Sequence, residues 1–151
     1  MGILEQLWSP WRMEYIEGGK GNGCVFCRAF AADCSHDREN LIVYRGTHSY
    51  VIMNLYPYNN GHLMVVPLAH QPNFEQLPSA ALAEVMVLAN KSTAVLREAM
   101  GAEGFNIGVN LGKIAGAGIV DHVHMHIVPR WSGDTNFITT VGTARVFSTD
   151  Y

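Results

Sequence analysis

Positive charge is scarce in this chain, and long apolar runs are missing. Lysine and arginine number 10 against 13 aspartates and glutamates, for a formal net charge of −3 and a pI near 6.1. A nucleic acid or an anionic membrane needs a basic face on its partner, and this composition supplies none. Any polyanion has to be met locally. No apolar run approaches the roughly 18 residues that would cross a bilayer. Met1–Gln6 shows no basic segment followed by an apolar one, and Gln6 stands where a myristoylation motif wants Ser or Thr. Repeats and low-complexity segments are absent. These lacks predict a soluble cytoplasmic protein with no nucleic-acid or membrane partner. With 48% hydrophobic residues over 151, the chain is sized for one domain with a real core, carrying an N-terminal arm over residues 1–23 and a tail over 132–151.

What is present is concentrated in Asp121-His122-Val123-His124-Met125-His126-Ile127-Val128-Pro129. Three histidines alternate with apolar residues, the pattern of a half-buried strand with His122, His124 and His126 on one face. Three imidazoles on one face would weaken a packed core unless partnered, so the row is expected to line a groove and do chemistry. Two readings fit: the imidazoles ligate a catalytic metal, or one is a nucleophile whose neighbours bind a phosphorylated substrate. A non-catalytic nucleotide-binding module is a third. Upstream, Phe105, Ile107, Val109 and Leu111 alternate with Asn106, Gly108 and Asn110 as a second strand. The loop after it carries Gly112, Gly116 and Gly118, whose backbone N–H groups can converge on an anion, with Asn110 and Lys113 adding donors. It lacks the spacing and terminal Lys-Ser/Thr of a Walker A loop. Next to three aligned histidines, it favours the phosphate reading.

His122-Val-His124-Met-His126-Ile-Val128 resembles the motif of the histidine triad (HIT) superfamily of nucleotide hydrolases and transferases. Trp8 to Ile16, Asn54 to Met64, the Ala115–Gly118 loop and Pro129 to Phe137 extend the resemblance over almost the whole chain. It is similar to the bacterial branch of diadenosine tetraphosphate phosphorylases and related HIT hydrolases. The resemblance implies an α+β, HIT-like fold: a five-stranded antiparallel sheet with one long helix and a short N-terminal helix, the sheets of two copies joined in a homodimer. It implies cleavage of dinucleoside polyphosphates or related adenosine nucleotides, with His124 attacking the α-phosphorus. His126 would hold the phosphate, with Asn110 and the N–H groups of Ala117 and Gly118 on its oxygens. Asn54 would meet the ribose, and His62 would lie near the nucleotide. The tail, with Asp134, Asn136, Phe137 and Arg145, would reach toward the partner subunit. Many family members carry Gln, Ser or Thr just before the triad, where Gly118 and Ile119 stand here. That departure shifts the care of the leaving group to the backbone or to Lys113.

Cys24-Val-Phe-Cys27 is a Cys-x-x-Cys pair, in a cytosolic chain more often a metal or redox site than a disulfide. By resemblance, His70 and His122 complete a structural zinc site with Cys24 and Cys27, and Cys34 is an ordinary thiol. The remaining pattern predicts strands over 41–44, 49–54, 62–67, 104–111 and 122–128. It also predicts one long helix capped by Ser79 and ended by Gly101, whose buried stripe is Leu82, Val85, Met86, Ala89, Thr93, Leu96 and Met100. That helix would cover one face of the sheet and leave the other for substrate.

Overall fold

The structure, a computed structural model, describes residues 23–134. Trp8, Trp11 and Tyr15 of the arm, and Asn136, Phe137 and Arg145 of the tail, lie outside the described residues. The first described element is a short helix, α1 (Val25–Ala31). Strands β1 (Ile42–Arg45), β2 (Ser49–Met53) and β3 (Leu63–Pro67) follow. The long helix α2 (Ser79–Met100), then β4 (Gly104–Val109) and β5 (Met125–Arg130) complete the fold. All pairings are antiparallel, in the order β1-β2-β3-β5-β4. The expected five-stranded sheet and long helix are both there.

Period-two alternation divides the sheet into two faces. Val51, Leu63, Val65, Met125 and Ile127 pack under Val85, Leu88, Ala89 and Leu96 of α2. On the other face Tyr50, Ile52, Met64 and Val66 pack with Phe26 and Ala29 of α1. His126 pairs with Met64 across β3 and β5, which puts it on the α1 face, away from the long helix. Burying each large apolar side chain such as Ile127 stabilises the fold by roughly 1.5–3 kcal/mol. By length and mean hydropathy alone α2 could cross a membrane, but its apolar stripe lies on the sheet.

The helix departs from expectation in two respects. Ser79 is its first residue and Pro78 occupies the cap, without a side-chain hydrogen bond; the end at Gly101, in the left-handed region at φ 63°, is as predicted. The buried stripe is Ala81, Val85, Leu88, Ala89, Ser92 and Leu96, while Met86 and Met100 are exposed. Ser92 is tolerated inside because its hydroxyl donates to the Leu88 carbonyl at 2.8 Å.

The histidine strand begins three residues later than expected, at Met125. Immediately before it, the Val123 N–H donates to the Gln71 carbonyl at 2.8 Å, outside the ladder. Residues 122–124 therefore leave the regular pleat, and the common face predicted for the three histidines does not hold for His122. Leu41, with φ 62°, kinks the chain into β1, which starts at Ile42.

Glu84 of α2 braces the β1–β2 turn, its carboxylate accepting the backbone N–H of Thr47 at 3.0 Å and of His48. Burial alone would raise the Glu84 pKa, but the N–H groups of Thr47, His48 and Ser49 outweigh it and hold the carboxyl below its usual value. The stabilisation is therefore complete above the ordinary carboxylate range and is lost as pH falls through the lowered folded-state pKa. Glu84→Ala should cost about 1–3 kcal/mol in chemical denaturation at neutral pH, and the difference from wild type should shrink in acid.

Candidate active site

The triad histidines divide between two places. The His122 ring faces the loop after β3 and the start of α1, where Cys24 Sγ lies 3.3 Å and Cys27 Sγ 3.5 Å from its Nδ1. His70 Nδ1 stands 3.2 Å from that nitrogen and 3.4 Å from Cys27 Sγ. The donor atoms of Cys24, Cys27, His70 and His122 all lie within 4.8 Å of one another. A tetrahedral zinc, with sulfur at about 2.3 Å and nitrogen at about 2.0 Å, sets its ligand atoms roughly 3.3–3.8 Å apart. The separations of His122 from Cys24, Cys27 and His70, and of His70 from Cys27, fall close to that spacing. His122 Nε2 faces the Pro67 carbonyl at 2.8 Å; a carbonyl only accepts, so Nε2 carries the proton and Nδ1 offers its lone pair to the cluster. Burial, and the neighbouring His70 and His124, keep this imidazole below its usual pKa although the Pro67 carbonyl works the other way. Burial first, then the Cys24 thiol beside it, push the Cys27 thiol up. A metal ligates the deprotonated sulfur, so an ion in the cluster would oppose that rise. The cluster permits zinc, and His124 and His126 are not part of it. Cys34 is exposed and outside it too.

His124 and His126 line a cleft of about 270 Å³ on the α1 face, together with Asn54, Tyr58, Met64, Asn110, Lys113, Ala117 and Gly118. Their rings meet edge-on at 4.9 Å between centroids. The His124 ring is buried against Phe26, 4.9 Å away, and burial holds its pKa below the usual value against the opposite pull of the His122 carbonyl. That carbonyl lies 2.9 Å from His124 Nδ1, so Nδ1 carries the proton and Nε2 is the bare nitrogen. The carbonyl comes from two residues upstream, where the chain leaves the pleat.

His126 has the opposite tautomer. The Tyr58 N–H donates to His62 Nδ1 at 3.1 Å, so the proton of His62 sits on Nε2, which faces His126 Nδ1 at 3.0 Å. His126 therefore accepts at Nδ1 and carries its proton on Nε2. Two adjacent imidazoles thus present unlike atoms: a lone pair on His124 and an N–H on His126. His62, 1% exposed, does not line the cleft; it acts through His126.

Other expected residues fall less simply. Asn54 reaches the cleft, but its Oδ1 also accepts the Tyr56 N–H at 2.9 Å, so it is a turn brace as well. The Ala117 N–H is directed to the Gly112 carbonyl at 3.3 Å and the Asn110 amide to the Gly116 carbonyl at 3.5 Å. Both bonds are long, and they spend within the loop donors expected to serve a ligand. Asp134 accepts from Arg130, Asn59 and Trp131, tying the end of β5 to the 57–61 turn. Sequence reasoning missed a second cavity of about 360 Å³, which shares Met64 with the first. It is walled by Val25, Phe26, Ala29, Ile52 and Leu55, with Glu39 and Asn40 at its polar side.

The HIT domain family matches residues 36–133. The chain belongs to the HIT family. The AP-4-A phosphorylase of Mycobacterium tuberculosis is 40% identical over 149 residues, 95% of this chain and 76% of that protein. The adenylylsulfatase HINT3 of Arabidopsis thaliana is 29% identical over 75% of this chain and 55% of its own length. Among solved structures, a zinc-bound histidine triad protein from Mycobacterium smegmatis superposes with a TM-score of 0.64 at 29% identity, covering 76% of this chain and 81% of its own. A HIT family member from Bacillus subtilis gives 0.65 at 26%, covering 85% and 84%. These place the chain among HIT nucleotide hydrolases and transferases and support the fold assignment.

The tautomer argument is open to direct measurement. Long-range proton–nitrogen NMR should find the proton of His124 on Nδ1 and that of His126 on Nε2. His62→Leu should mix the tautomers of His126 while leaving His124 unchanged; unmixed His126 resonances would show that His62 does not fix its partner.

Proposed function

We propose that this HIT protein cleaves dinucleoside polyphosphates of the diadenosine tetraphosphate type at the α-phosphate, through a nucleotidyl intermediate on His124. The observation that carries the reading is the hydrogen bond from His124 Nδ1 to the His122 carbonyl, which leaves Nε2 as a neutral nucleophile at the cleft. His126, held as an Nε2–H donor, sits beside it to bind a phosphoryl oxygen as charge builds there. Gly116, Ala117 and Gly118 of the loop line the same space. The adjoining apolar cavity takes the base, with Asn54 near the ribose. Likeness to the mycobacterial phosphorylase supports the substrate class.

His124 Nε2 forms a bond to the α-phosphorus, the bond to the bridging oxygen breaks, and nucleoside triphosphate leaves. Inorganic phosphate or water then takes the nucleotidyl group, giving ADP or AMP. A catalytic metal on the three histidines does not fit, because His122 faces the cysteines while the other two rings face the cleft. We also propose that Cys24, Cys27, His70 and His122 hold a structural zinc, which ties α1 to the histidine segment; the zinc-bound mycobacterial relative supports this. The ion supplies cross-linking and no chemistry to the substrate. Two copies are proposed to join through the edge of β4 that has no strand neighbour among the described residues, where Ile107 is exposed. A cytoplasmic location suits the free thiols of the cluster.

Alkaline denaturing quench of the enzyme with labelled diadenosine tetraphosphate, conditions that spare a phosphorus–imidazole bond, should trap one nucleotide on His124. His124→Asn should lower turnover about 10⁴-fold or more while still binding nucleotide, and product analysis with and without phosphate should separate ADP from AMP. Turnover surviving that substitution would sink the reading. Cys27→Ser should lose the zinc that wild type carries, at about one per chain, by elemental analysis, and melt at lower temperature. Equal zinc content in both proteins would count against the site.

A further inference from the structure

The cleft carries one formal charge. Among the described residues that line it, Lys113 is the only cation, and no carboxylate joins it there. Lys113 is exposed and forms no ion pair among the described residues. Its place is set by the backbone. Lys113–Ala115 is a single 3-10 turn between Gly112 at φ 81° and Gly116 at φ 92°, conformations that side chains rarely adopt. The Gly116 N–H closes the turn on the Lys113 carbonyl at 3.0 Å. Beyond the turn the same wall is bare: a Cβ at Gly118 would meet nothing within 4 Å, and Ile119 offers no donor.

We propose that Lys113 selects substrates by the charge of their leaving group, its ammonium binding the phosphates beyond the bond that His124 breaks. This rests on the nucleotidyl-transfer reading and adds to it the class of leaving group. When the lone pair of His124 Nε2 bonds to phosphorus, the pair of the breaking P–O bond departs on a phosphate oxygen. A polyphosphate stays ionised as it leaves and takes no proton; what it needs is a cation. An amine leaving group needs a proton instead, and the Gly118–Ile119 wall carries no side chain to give one. The cleft therefore matches phosphoanhydrides, whose extra phosphates reach the rim where the lysine stands. An exposed ammonium acts as a mobile point charge, so the attraction is screened by salt.

The test compares wild type, Lys113→Met and Lys113→Arg in calorimetric binding of AMP and of adenosine 5′-(α,β-methylene)triphosphate, with kcat/KM on diadenosine tetraphosphate alongside. A hydrogen bond to a charged group implies that Lys113→Met weakens the triphosphate analogue and lowers kcat/KM roughly ten- to hundredfold, with AMP affinity held within about twofold. Lys113→Arg should recover most of the loss, and added salt should erode the wild-type preference for the analogue. Equal weakening of both ligands, or none of either, overturns the proposal and leaves the nucleotidyl-transfer reading standing. A wild-type protein that binds neither nucleotide overturns both.

Discussion

One residue serves two sites with two different groups, and the architecture depends on it. The His122 ring joins Cys24, Cys27 and His70, while its backbone carbonyl takes the proton of His124 Nδ1. Anything that fixes the ring also fixes the carbonyl, because one φ/ψ pair and one rotamer separate them. The Pro67 carbonyl holds the ring from the far side, so the end of β3 contributes to the aim of the His124 ring, which β3 does not carry. Phe26, the second residue of α1 and lodged against the rings of both His122 and His124, gives the same segment a second hold.

The sheet supplies the frame within which such placement is possible. Its α2 face is a conventional apolar layer, and the register that puts Met125 and Ile127 there obliges His126 to point the opposite way. Among the described residues the α1 face is only partly covered, and the cleft lies on it. Its floor is rigid ladder and its rim is loop, a division suited to holding reacting groups still while the ligand enters.

How much of this was legible in the sequence depended on distance along the chain. The alternation 122–128 and the stretch 104–111 announced their strands because period two is a local signal, and Cys24-x-x-Cys27 announced a donor pair for the same reason. The strand at 122–128 was placed three residues early because a bond from Val123 to Gln71, invisible to alternation, draws the chain off the ladder. The helical stripe was rotated because Met86 and Met100 were read by type and Ser92 was passed over, though a bond to its own helix satisfies its hydroxyl. The pairing of His62 with His126 joins positions 64 apart, and the second cavity draws its walls from several segments; neither has a local signature. His70 and His122 as partners of the cysteines came from the family resemblance, and the structure brings all four together.

The cluster and the cleft share a residue's backbone but no side-chain atom: none of the four donors lines the cleft, and Phe26 contacts the rings of both His122 and His124. Chains of linked phosphates are strong sequestrants of divalent ions. A protein that stored such an ion in the same chamber as its polyphosphate would risk surrendering it at each encounter. In this fold an ion held by the four donors would lie outside the cleft, and a polyphosphate bound in the cleft would not share a lining side chain with it.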